Sequence, residues 1–290
     1  MMSQVLDDLV ALLTLEAIEE NLFRGRSQDL GFRQLFGGQV LGQSLSAASQ
    51  TVEDTRHVHS LHGYFLRPGD AYLPVVYQVD RVRDGGSFST RRVTAIQKGK
   101  PIFTCSASFQ YDEEGFEHQT TMPQIVGPEN LPSELELLTS RAHLIPESAH
   151  DKFLRPKPIQ FRPVTADDPY DPKPGEPVKY VWFRADGNLP DIQALHRYML
   201  AYASDFNLLT TSLRPHGKTV WQRDMQVASL DHSLWFHNDL RTDDWLLYAM
   251  DSPWAGNSRG FSRGSVFNRA GQLVASVSQE GLIRHRKDWA

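Results

Sequence analysis

The pattern of apolar and polar positions divides the chain into two runs of elements in the same order. Residues 15–25 (LEAIEENLFRG) read as a strand after a short N-terminal helix. Residues 37–52 (GGQVLGQSLSAASQTV) read as a helix of small residues. Four strand-like stretches follow, at 57–66, 71–83, 87–98 and 101–111. Turn signals separate them: RPGD at 67–70, RDGG at 83–86 and KGKP at 98–101. The order then repeats. VKYVWFRA (178–185) is a strand, and residues 189–213 form a helix with Pro190 tolerated in its first turn. Strand-like runs follow at 225–237, 244–251, 259–268 and 272–285, and KPIQFRPV (157–164) is placed to add one more strand to this second set.

Residue identities echo the repeat in register. HSL at 59–61 recurs at 232–234, an offset of 173, and FS at 88–89 recurs at 261–262 with the same offset. After a one-residue slip Gly99 matches Gly271. Matches in register, on top of matching element order, indicate a duplication. The segment 112–177 is rich in Pro, Glu and Asp and reads as a connector. The expected division is an N-terminal unit at 1–115, a connector at 116–156 and a C-terminal unit at 157–290. One strand, one long helix and then an antiparallel run of strands describe an α+β sheet wrapped around a helix, the hot-dog arrangement. Two copies would join their sheets into one surface, a double hot-dog.

Composition narrows the function classes. With 40% hydrophobic and 22% charged residues and a net charge of −5, the chain has the make-up of a globular protein. It has no basic block to track a phosphate backbone, so nucleic acid is excluded as the expected partner. Cys105 is the single cysteine, which rules out an internal disulfide and fits a reducing, cytoplasmic location. The N-terminus is acidic and lacks the basic start and apolar run of a secretory signal. No apolar stretch is long enough to span a membrane.

GNSRG (256–260) has the spelling of a hydrolase nucleophile elbow, G-x-S-x-G. That motif requires a helix after the serine. Ser258 is followed instead by RGFSRGSVF, which has no helical period, so a turn feeding a strand is the better reading.

Stronger candidates are polar residues on faces that periodicity marks as buried. Asp205, read within the 189–213 helix, has Ala201 and Tyr202 before it and Leu208 and Leu209 after it on the same face. On that phase the carboxylate is desolvated and its pKa rises toward the range of a useful base; on the opposite phase it is solvated. Gln279 continues the row Ala275, Val277, Gly281 on one strand face. A 172-residue offset sets Ala107 in its place in the first half, so one half alone carries the amide. Ser229 shares a strand face with Val227 and Asp231. His57, His59 and His62 have no carboxylate or thiol beside them to complete a metal site. Asp231 and His232, adjacent in a strand, point oppositely and form no dyad. Gly37, Gly38 and Gly42 at the start of a helix point to close packing by a partner helix, or else to a ligand.

Six blocks in order, FGGQVLGQSLSAA, HSLHGYFLRPGD, RDGGSFSTRRVTAIQKGKPIF, YASDFNLL, DHSLWFH and RGFSRGSVFNRAGQLVASVSQEG, resemble the acyl-CoA thioesterase II family of double hot-dog hydrolases. The resemblance runs from about residue 5 to 285. It implies hydrolysis of fatty acyl-CoA to free acid and CoA, with no cofactor, no metal and no covalent acyl-enzyme. It carries the family's catalytic aspartate onto Asp205 and its glutamine onto Gln279. The family's hydroxyl residue, usually Thr, falls on Ser229, which keeps the hydroxyl and loses the methyl. Trp235, Phe236 and Leu209 are then expected to line an acyl tunnel. Double hot-dog sheets tend to pair further, so a homodimer or homotetramer is expected. Two rivals stand beside this reading. A hot-dog acyl-CoA hydratase or dehydratase would want a histidine about five residues after Asp205, where Thr210 stands. The other rival is a catalytically silent acyl-CoA-binding protein.

Overall fold

The computed structural model describes residues 3–31, 34–145, 147, 150–165 and 167–286. In chain order, the first run comprises helix α1 (Gln4–Leu13), strands β1 (Glu16–Glu19) and β2 (Leu22–Gly25), helix α2 (Gly37–Ser49) and strands β3 (His57–Phe65), β4 (Val75–Asp84), β5 (Phe88–Gln97) and β6 (Lys100–Gln110). Two short helices, α3 (Glu134–Ser140) and α4 (His150–Phe153), lie in the connecting segment. The second run comprises β7 (Ile159–Pro163), β8 (Val178–Ala185), α5 (Gln193–Ser204), β9 (Met225–Ser229), β10 (Asp231–Phe236), β11 (Leu246–Gly256), β12 (Arg259–Asn268) and β13 (Leu273–His285).

The strands form one antiparallel sheet in the order β1-β2-β4-β5-β6-β3-β10-β13-β12-β11-β8-β7, with β9 also paired to β13. Read inward from either end, the order is the same. The two runs meet at β3 and β10, where Leu61 stands opposite Leu234. These are the leucines of the two HSL echoes, so the sequence repeat marks the seam of an approximate twofold. The chain has the α+β double hot-dog fold. Alternation along the strands sends one face inward: His232, Leu234 and Phe236 on β10 are buried while Asp231, Ser233 and Trp235 are not. Burial of that face against α2 and α5 is the main stabilising term, at roughly 1.5–3 kcal/mol per large apolar side chain.

Helices α2 and α5 lie antiparallel and very close. A Cβ on Gly38 would sit 2.2 Å from the Tyr202 carbonyl oxygen, and one on Gly42 3.0 Å from that of Tyr198. The glycines expected to serve packing do so at these two positions.

Several expectations need correction in detail. The strand expected at 15–25 is two strands, folded at Asn21, whose φ is 60°. The helix expected at 189–213 ends at Ser204. Asn207 adopts φ 67°, a left-handed conformation that asparagine tolerates and that stops a helix, and a 3-10 segment runs from Leu209 to His216. The strand expected at 225–237 breaks at Leu230. β13 pairs Ser278 with Ser233 but Gly281 with Ser229, so the other side carries one extra residue, a β-bulge. In GNSRG, Asn257 and Ser258 have φ of 49° and 59°, the two positive values of a type I′ hairpin turn between β11 and β12.

Candidate active site

Asp205 caps the C-terminal end of α5 in a right-handed helical conformation. Its burial therefore does not come from a continuing helix face, as the sequence reading had it. It comes from the chain turning inward at the helix end, and the side chain is only 6% exposed. Opposite it lies the first turn of α2. A Cβ on Gly37 would be 2.6 Å from Asp205 Oδ2, and the backbone amide of Gly38 hydrogen-bonds the carboxylate. The third glycine-rich position thus makes room for a carboxylate rather than for a helix.

Gln279 on β13 is fully buried on the inner face. Its Nε2 donates to Asp205 Oδ1 at 2.9 Å and to Ser229 Oγ at 2.7 Å. Ser229 Oγ lies 3.5 Å from the same carboxylate oxygen. Ser229 reaches this cluster because of the bulge. Its ladder partner is Gly281, two residues from Gln279, so it shares the inner face with Gln279. The alternation that paired it with Val227 and Asp231 is broken at Leu230, and Asp231 points the other way, accepting from the Glu280 amide at 2.7 Å. Asp205, Ser229 and Gln279 are therefore brought together from three separate elements.

Desolvation pushes the Asp205 pKa above the ordinary carboxylate value, against hydrogen bonds from Gln279, Gly38 and Ser229 that lower it. The outcome is a carboxylate oriented by three donors and more basic than one in water.

The chain belongs to the acyl-CoA thioesterase family. The family model for acyl-CoA thioesterase matches residues 148–282, and the model for the acyl-CoA thioesterase N-terminal domain matches residues 25–110. Acyl-CoA thioesterase 2 of Haemophilus influenzae is 44% identical over 283 residues, covering 98% of this chain and 99% of the relative. The crystal structure of an acyl-CoA thioesterase II from Mycobacterium marinum superposes with a TM-score of 0.77 at 40% identity, covering 96% and 99% of the two chains. A hot-dog protein from Alicyclobacillus acidocaldarius has the same TM-score, 0.77, at 18% identity, which shows the shared fold alone.

Three features of the site's surroundings are not apparent from the sequence. His232 on β10 is fully buried beside Asp205, with Nδ1 4.0 Å from Oδ1. Burial lowers its pKa to about 3, so the ring is neutral. The inward phase of β10 gave a signal for it, but nothing in the spacing tied it to residue 205. Ser262 stands opposite Gln279 in the ladder and is also fully buried. In the first half Ser89, the echo of Ser262, stands opposite Phe109. Strand register thus makes Phe109, not Ala107, the counterpart of Gln279, and the amide still belongs to one half only. Finally, a cavity of about 480 Å3 has an aromatic wall of Tyr202, Phe206, Phe161 and Trp221, and charged side chains such as Lys157, Lys179 and Arg214 also line it. Trp235, Phe236 and Leu209 do not line it. Trp235 meets His62 edge-on at 5.0 Å on the outer face, and Phe236 and Leu209 are packed in the interior.

Of the other sequence candidates, Ser258 lies in the β11–β12 turn, where its carbonyl accepts from the Ile283 amide at 2.8 Å, and the hydrogen bonds that join Asp205, Ser229 and Gln279 do not include it. His59 and His62 bond to Ser108 and Ser233 hydroxyls on the outer face. Among the described residues no cluster of His, Cys, Asp or Glu could hold a metal ion, and no helix is long and apolar enough to cross a membrane.

Proposed function

We propose that this protein hydrolyses fatty acyl-CoA thioesters to fatty acid and CoA, with a water activated by Asp205 and held by Ser229 and Gln279. The observation that carries the reading is the single amide of Gln279, which donates to both the Asp205 carboxylate and the Ser229 hydroxyl. A nearly dry carboxylate held this way is a general base aimed at one place. Such a group contributes about 10²–10⁴-fold to rate. The leaving thiolate is the conjugate base of a thiol with pKa about 8.5, so a strong general acid is dispensable. The first turn of α2, next to the carboxylate, brings backbone N–H groups and the positive end of a helix dipole suited to an oxyanion. The aromatic wall of Tyr202, Phe206 and Phe161 in the cavity is the side proposed for the acyl tail.

The same reading makes 157–290 the catalytic unit, joined through 116–156 to an N-terminal unit at 1–115. It also takes the working form to be a homodimer or homotetramer and the compartment to be the cytoplasm, where the lone buried Cys105 needs no partner. An acyl-CoA hydratase is disfavoured because Thr210, not a histidine, stands five residues after Asp205. Thiol release from a series of saturated acyl-CoAs, followed with a chromogenic thiol reagent, tests the reading. Turnover supports it. Binding without thiol release, or loss of enoyl-CoA absorbance without thiol release, replaces it with one of the two rivals.

A further inference from the structure

Three buried polar atoms without a hydrogen-bond partner belong to side chains on three adjacent strands beside the proposed base. They are His232 Nδ1, Gln279 Oε1 and Ser262 Oγ. Gln279 and Ser262 are ladder partners on β13 and β12. The β10–β13 register, which pairs Ser233 with Ser278, carries on to bring His232 alongside Gln279 on the other flank. All three residues are 0% exposed, so no substrate reaches these atoms.

The protonation of each can be worked out from its other contacts. Both hydrogens of the Gln279 amide are committed, one to Asp205 and one to Ser229. A flipped amide would turn its oxygen onto the carboxylate, so Oε1 is the bare acceptor. Ser204 donates its hydroxyl hydrogen to the Ala201 carbonyl at 3.0 Å, so at 2.9 Å it accepts from His232 Nε2–H. The neutral ring then has no hydrogen on Nδ1, which is a second bare acceptor. Ser262 brings one hydroxyl hydrogen. Two acceptors and one hydroxyl donor cannot satisfy one another directly, because one acceptor is always left over. A water completes the set: it donates to Nδ1 and to Oε1 and accepts from Ser262. A buried water typically makes about three hydrogen bonds of this kind.

We propose that His232, Ser262 and Gln279 Oε1 enclose one buried water that locks the Gln279 amide, and that His232 and Ser262 are positioning residues for Asp205 and Ser229. This water is distinct from the one that attacks the thioester, which must meet the substrate. The inference rests on the proposed catalytic reading for its kinetic consequences, but its structural content stands apart from it.

The test therefore has two arms. In a high-resolution crystal structure of the wild-type protein, density is expected within about 3.2 Å of all three atoms. A dry site, or His232 Nδ1 bonded directly to the Gln279 amide, overturns the proposal whether or not the protein turns over acyl-CoA. In the kinetic arm, Ser262→Ala is expected to lower kcat by roughly five- to ten-fold, the loss of about one hydrogen bond, with KM little changed. His232→Leu removes the acceptor and lowers kcat further. His232→Asn, which sets an amide oxygen near the place of Nδ1, restores most of the loss. Unchanged kcat in Ser262→Ala, or equal losses in His232→Leu and His232→Asn with both folded by circular dichroism, overturns the positioning role. Should His232→Leu fail to fold, Ser262→Ala and the density decide.

Discussion

Acidification from pH 7.5 to 4.5 titrates the buried ring of His232 in the unfolded chain but not in the folded one. Its folded pKa is lowered by burial from 6.5 to about 3. The unfolded state thus binds more protons over this range, and stability falls as pH falls. The loss starts near 6.5, grows by about 1.4 kcal/mol per pH unit, and amounts to about 2.7 kcal/mol at pH 4.5. Most other shifted groups do not obscure it. Asp70, Asp84 and Asp224, whose pKa values are lowered by hydrogen bonds and ion pairs, lose their contribution below this window. Asp205 has the opposite sign, since its raised pKa makes the folded state take up a proton first. His59, His62, His196 and His237 are also lowered by burial and add losses of the same sign. Comparison with His232→Asn, which cannot titrate at this position, isolates the term. Urea unfolding at half-unit pH steps should show wild type losing about 2.7 kcal/mol more than the variant between pH 7.5 and 4.5. Parallel curves for the two proteins would refute the buried neutral ring.

Other substitutions probe the site from different sides. Gly37→Ala places a methyl 2.6 Å from Asp205 Oδ2 and should displace the carboxylate, lowering kcat by about ten- to a hundredfold in a steady-state assay. Gln279→Leu removes the largest hydrogen bond that holds the Asp205 pKa down, so the acid limb of the kcat/KM profile should move to higher pH; an unmoved limb would show that the carboxylate is not the titrating base. Ser258→Ala, in a hairpin turn, should leave turnover unchanged and stability within about 0.5 kcal/mol by thermal melting.

Much of the architecture was legible because it follows from local pattern. β8 and β12 fall at the expected 178–185 and 259–268, and the HSL echo marks the seam where Leu61 meets Leu234. What local pattern misses is where periodicity is interrupted. Asn207 stops α5 through its backbone conformation, which an unbroken run of helix-compatible residues does not reveal. The bulge at Leu230 puts Ser229 on the inner face while Asp231 points the other way, so unbroken alternation groups the two wrongly. Asp205 and Gln279 were visible as polar residues in apolar rows. The parts that Gly38, His232 and Ser262 play in the site were not, because they depend on contacts made across the two halves or across neighbouring strands.

The central claim is that a desolvated Asp205 activates the attacking water. Thiol release from a long-chain acyl-CoA by Asp205→Asn, measured beside wild type under saturating substrate, tests it most directly. The account predicts a kcat lower by at least about 10² with the fold intact. A variant that turns over within about threefold of wild type would contradict it.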